Sequence, residues 1–131
     1  MPITFLRLQE YLDLIVQTAG DNIASSPHKR FWATWQALTQ QPLPSPQCNG
    51  LPIYAIKYLD AQHKTVDADN SPLYIILTSA AGFCGKTQMP PAGPYITDNG
   101  YSVTLSDNTV VTGAQIVQDI HDWLSAGALN N

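Results

Sequence analysis

The sequence predicts a single, mainly α-helical domain over residues 1–131, with long proline-rich loops and a small β-hairpin. Three observations predict it. Apolar residues recur at helical spacing near both ends of the chain. Helix-start and helix-stop residues stand where those stretches begin and end. Ten prolines occur in a chain with only 12% charged residues, and most of them cluster between the periodic stretches. Such a chain is held by turns and core packing rather than by ion pairs.

The elements follow in order. Thr4–Ala19 reads as the first helix, with Phe5, Leu8, Leu12 and Ile15 on one face, Thr4 as N-cap and Gly20 as the stop. A polar connector, Asp21–Ser26, leads to a second helix. Ser26 caps it, Pro27 fills its first turn, and it runs to about Thr39 with Phe31, Trp35 and Leu38 inside and Trp32 beside them. Pro42, Pro44, Pro46 and Pro52 exclude regular structure from Gln41 to Pro52. Leu51–Leu59 fits a strand or an extended loop equally well. Ser71 and Pro72 open a third helix that buries Leu73, Ile76 and Leu77 and ends within Ala80–Gly85. Met89–Pro94 is a proline-rich turn. Tyr101–Val111 alternates around Ser106-Asp107-Asn108 as a hairpin. Thr112 to Gln115 forms a capping box for the last helix, in which Ile116, Ile120, Trp123 and Leu124 face inward until Gly127.

Composition excludes whole classes of function. Six Lys+Arg stand against ten Asp+Glu. Four lysines and two arginines are too few for the basic stripe that a phosphate backbone needs, so no nucleic-acid partner is expected. A polybasic membrane patch fails for the same reason, and no apolar run approaches the roughly 20 residues that span a bilayer. The N-terminus shows no secretory pattern, so the chain reads as cytoplasmic, or periplasmic if a leader was removed. Cys48 and Cys84 are the only cysteines. Two separate reduced thiols is the preferred reading, with one disulfide as the alternative in an oxidising compartment.

Reactive motifs are sparse. His28, His63 and His121 have no i, i+4 partner and no cysteine pair at zinc spacing, so no metal site is expected. Neither a nucleophile elbow nor a phosphate-binding glycine loop occurs. The carboxylates Asp67/Asp69 and Asp119/Asp122 read as helix-cap and solvated-face residues. An enzyme is not indicated.

Three segments carry a distributed pattern: Asp67–Tyr74 (DADNSPLY), Met89–Asp98 (MPPAGPYITD) and Ile116–Ala128 (IVQDIHDWLSAGA). In this order they resemble the second half of small bacterial c-type cytochromes. The resemblance implies a cytochrome-c-like helical fold, with the axial methionine at Met89 and with Tyr101–Val111 as an inserted hairpin. The family's C-x-x-C-H attachment run is absent, which excludes covalent haem because each thioether needs a cysteine. The N-terminal residues Asn22, Ile23, His28, Phe31 and Trp32 are similar to a haem-less branch that accompanies tyrosinase-like copper proteins.

The resemblance implies a non-enzymatic, cofactor-free binding or accessory module for a protein partner, with a redox protein or copper oxidase as the candidate. Trp32, Tyr95 and Tyr101 are the residues expected to form a partner-binding patch. Trp32, Trp35 and Trp123 would fill the volume that a porphyrin takes in the family. The alternative is a redox carrier or sensor that holds haem or a metal noncovalently through His28 and Met89. A third class, a small enzyme with an unrecognised pocket, has no motif behind it.

Overall fold

Helix α1 (Phe5–Ala19) starts because the Thr4 hydroxyl accepts the Arg7 backbone N–H at 3.1 Å. It stops at Gly20, whose φ of 73° suits a residue without a Cβ. Its inner face buries Phe5, Leu8, Tyr11, Leu12 and Ile15. The structure, a computed structural model, describes residues 2–20, 32–39, 47–48, 51–52, 68–69, 71–83, 87–90, 93–128 and 130.

Helix α2 is short, Trp35–Thr39. Residues 32–34 form a turn rather than helix, so the predicted second helix is not continuous over them. The physical reason lies on α1. The Gln9 side-chain amide donates to the carbonyls of Trp32 and Ala33, both at 3.0 Å, in the turn that precedes the helix. Phe31 and the predicted start at Ser26 and Pro27 lie outside the described residues. A two-residue antiparallel ladder, β1 (Gln47–Cys48) with β2 (Leu51–Pro52), stands where the prolines excluded regular structure. Asn49 and Gly50, which separate the two strands in sequence, are the strongest hairpin dipeptide, and this signal outweighs the prolines around it.

Helix α3 (Pro72–Thr78) begins as its sequence requires, with Ser71 at the cap, Pro72 in the first turn, and Leu73, Ile76 and Leu77 buried. It ends at Thr78, shorter than expected, with Ser79 in extended backbone. The following chain turns back along it. The Met89 N–H donates to the Ile76 carbonyl at 2.8 Å, and the buried Gln88 amide donates to the Leu77 carbonyl and to Thr97 Oγ1, both at 2.9 Å. Gln88 thus satisfies a carbonyl at the end of α3 that its short helix leaves open.

Strands β3 (Ser102–Thr104) and β4 (Val110–Thr112) pair antiparallel, with Val103 opposite Val111. Val103 and Val111 face the core, while Ser102, Thr104, Val110 and Thr112 face out. Helix α4 (Gly113–Ser125) follows directly. The Thr112 hydroxyl accepts the Gln115 N–H at 3.2 Å, and the Gln115 side chain donates onward to Asp119 at 2.7 Å. The capping box is therefore made on its threonine arm. The outer layers close over one cluster in which Leu8, Ile76, Ile116, Ile120, Trp123 and Leu124 are almost wholly buried.

This arrangement corrects the predicted fold class. The chain is not a mainly α, cytochrome-c-like domain carrying an inserted hairpin. Three principal helices and a two-stranded antiparallel sheet share the core. The hairpin is no peripheral addition, because Tyr101, Val103, Leu105 and Val111 are buried core residues and the Gly113 N–H at the start of α4 donates to the Tyr101 carbonyl at 2.8 Å. Removing it would uncover the centre of the protein. No helix among the described residues is long and apolar enough to cross a membrane.

Candidate functional site

Three places hold chemistry worth weighing, and α1 contributes to two of them. Its outer face, opposite the core stripe, forms an open groove of about 320 Å³ lined by Leu6, Gln9, Glu10, Asp13, Leu14 and Ser106. Leu6 is 74% exposed and is one of two large apolar side chains this far exposed among the described residues. Leu14 is half-buried and lies two turns further along the same helix. The polar residues between them are fixed. Glu10 receives the Ser106 hydroxyl at 2.9 Å from the β3–β4 turn and pairs with the Arg7 guanidinium at 3.3 Å. Arg7 also reaches Asp107 at 3.7 Å, and Asp13 accepts the Trp32 indole N–H at 2.7 Å. The groove is consequently built from a helix face and a hairpin turn, and Trp32 steadies one of its carboxylates from outside.

The second place is the Tyr11–Asp119 contact between α1 and α4. The Tyr11 hydroxyl donates to Asp119 Oδ2 at 2.6 Å, while Gln115 holds the other carboxylate oxygen. Burial pushes the Tyr11 hydroxyl well above the usual tyrosine range, and its hydrogen bond to Asp119 and the charge of that carboxylate push the same way. Burial also raises Tyr74, where Asp69 adds to the effect, and Tyr101. Each folded-state value lies above the unfolded value near 10, so this stability is complete below about pH 10 and is lost as pH rises further. We expect the urea midpoint to fall above about pH 10 and Tyr11→Phe to flatten that fall. At pH 7 the same substitution should cost about 1.5 kcal/mol, the range for a hydrogen bond to a charged acceptor. Equal alkaline slopes for the two proteins would contradict this role.

The third place is His121 on α4. Its Nε2 meets Asp69 Oδ1 at 3.0 Å, its Nδ1 lies 3.5 Å from Ser125 Oγ, and its ring meets Tyr74 edge-on at 5.4 Å. A serine, a histidine and an aspartate in sequence of contact invite comparison with a nucleophilic triad. The surroundings argue against one. Ser125 is the last residue of α4, where the carbonyl end of the helix opposes a developing oxyanion. The Asp69 side chain is 78% exposed, so water screens its pairing with the imidazole. The cluster ties the chain before α3 to the end of α4. Sequence offers no signal for it, since Asp69 and His121 are 52 residues apart.

The residues predicted to bind a partner do not come together as a patch. Trp32 is 4% exposed with its indole N–H on Asp13, and Tyr101 is 8% exposed beneath the hairpin. Neither ring presents a surface, because both fill the core instead. Tyr95 alone stays half-buried at the surface, its N–H held by Asp98 at 2.8 Å. Met89 is half-buried against the core cluster, with its backbone tied to α3. His28, His63 and Cys84 lie outside the described residues. Among the described residues no group of three or more His, Cys, Asp or Glu side chains is placed to hold a metal ion. Sequence reasoning missed Leu6, since its helical periodicity was read for the buried face alone. A leucine among Arg7, Gln9, Glu10 and Asp13, off the inner stripe, was the available signal. Comparisons with protein-family models, curated proteins and solved structures return no match.

Proposed function

We propose that this chain is a non-enzymatic binding or accessory module that engages a protein partner through the outer face of α1. The observation that supports it is Leu6, held 74% exposed at the edge of a groove whose polar walls are already fixed by hydrogen bonds. An exposed leucine alone is ordinary on a protein surface. Here it sits with a second leucine on one preorganised face, and preorganisation lowers the ordering cost of association. A redox protein remains the candidate partner class.

Photo-crosslinking tests the reading. A benzophenone side chain is placed at position 6 and, as a control, at Val110, which is 64% exposed on the hairpin. In cells that naturally make the protein, position 6 should give a discrete adduct that Leu14→Asp abolishes, and position 110 should not. Equal adducts from both positions, or adducts indifferent to Leu14→Asp, would overturn it. Leu6→Asp should leave the unfolding free energy from urea denaturation within about 0.5 kcal/mol of the parent, because a residue this exposed contributes little to folding.

A further inference from the structure

The turn that carries the chain from Ile96 into β3 holds an Asn-Gly pair, Asn99-Gly100, and both residues are exposed. Gly100 has a φ of 78°, and no atom lies within 4 Å of where a Cβ would stand on it. The Tyr101 N–H donates to the Asp98 carbonyl at 3.2 Å and closes the turn around the pair. The Asn99 amide and the Gly100 N–H make no hydrogen bond among the described residues. Asn108, exposed in the β3–β4 turn, is the contrast. Its successor, Thr109, is β-branched, and the Thr109 N–H is held by the Asp107 carboxylate at 3.0 Å. The nitrogen after Asn108 is engaged and crowded. The nitrogen after Asn99 is neither.

We infer that Asn99 is a site of spontaneous backbone modification, deamidation through a cyclic imide with water as the only co-reactant. The Gly100 nitrogen gives its proton to hydroxide and attacks the Asn99 side-chain carbonyl carbon. That C–N bond forms, the bond from the same carbon to the amide nitrogen breaks, and the nitrogen takes a proton from water and leaves as ammonia, which regenerates hydroxide. Water then adds to either carbonyl of the ring and opens it to aspartate or isoaspartate, with no change in oxidation state. Isoaspartate threads the Asn99 Cβ into the main chain and so lengthens the turn. Ile96 before the turn is 2% exposed, Tyr101 after it is 8% exposed, and the Tyr101 carbonyl holds the Gly113 N–H at 2.8 Å. A longer turn therefore displaces the groups that seat the start of α4, in a core that tolerates little change of shape. Aspartate at the same exposed position adds charge alone.

Ageing the full chain in mildly alkaline buffer, followed by site-resolved peptide mapping, tests the inference. Asn49-Gly50 is the chain's other Asn-Gly pair and lies outside the described residues, so the mapping reads position 99 separately. Isoaspartate should accumulate at 99, faster as hydroxide rises. Its rate should stay within about tenfold of that in the free peptide of residues 95–102, because one turn hydrogen bond has to open. Asn108 should stay intact over the same period. Asn99→Gln should abolish conversion at 99, since its ring would need a further carbon. The isoaspartyl form, separated chromatographically, should unfold at lower urea than the parent, and Asn99→Asp at the parent's midpoint. Conversion at 108 as fast as at 99, or a rate about a hundredfold or more below the peptide's, would overturn the modification site. An isoaspartyl form as stable as the parent would overturn its coupling to α4.

Discussion

Gly113→Ala is expected to destabilise the protein by about 3 kcal/mol, at the upper end of what overpacking costs. The sign is the informative part. Within a helix, alanine is ordinarily better than glycine by about 1 kcal/mol. Gly113 opens α4 directly after the Thr112 cap, and a Cβ there would be driven into the Ile96 carbonyl oxygen while lying 3.2 Å from the Tyr101 Cβ. Both neighbours are fixed: Ile96 is buried, and the Tyr101 carbonyl holds the Gly113 N–H at 2.8 Å. Relief would require moving the Ile96 backbone or separating the hairpin from α4. Urea denaturation followed by circular dichroism measures the loss. An alanine variant as stable as the parent would show that the Ile96 carbonyl does not sit over the start of α4.

Trp123→Ala should cost about 4 kcal/mol, within the range for truncating a buried aromatic side chain. Trp123 is 1% exposed and stacks on Phe5 with ring centroids 6.3 Å apart. It therefore joins the last helix to the first turn of α1. Against a total stability of about 5–15 kcal/mol, that loss removes between about a quarter and most of it. A double-mutant cycle with Phe5→Ala isolates the ring pair, with an expected coupling of about 1 kcal/mol. Additive effects would mean that the two rings share the core without interacting. Trp123→Phe should be milder than alanine, because it leaves a smaller cavity.

Much of the scaffold was legible in the sequence, for local reasons. Thr4 and Gly20 bracket α1, Ser71 and Pro72 open α3, and Thr112 opens α4, because caps act on backbone groups within a few residues. The hairpin was legible for the same reason, as Ser106-Asp107-Asn108 separates two β-prone arms. What failed was long-range. Segment likeness suggested a cytochrome-like helical domain in which the hairpin was an addition, whereas Val103, Leu105 and Val111 complete the core. Gln9 reaches the carbonyls that precede α2 from 23 and 24 residues away, which no periodicity in residues 26–39 could reveal. Trp32 and Tyr101 were assigned to a surface because aromatics in low-charge segments suit either role. Only tertiary packing decides, and it buries both.

The groove was hidden for a different reason. Its lining comes from α1 and from the β3–β4 turn, and Ser106 meets Glu10 across 96 residues of sequence. Reading α1 by its inner stripe identifies what the helix buries and passes over what it shows.

The central claim is that this outer face is a contact surface, and amide chemical-shift mapping of the labelled full chain tests it most directly. On addition of the partner that crosslinks at position 6, shifts should concentrate at Leu6, Gln9, Glu10, Asp13, Leu14 and Ser106, and saturate together. The outward residues of the hairpin, Ser102, Thr104 and Val110, should stay unmoved. Shifts centred on the hairpin face, or spread without a focus on α1, would contradict the account.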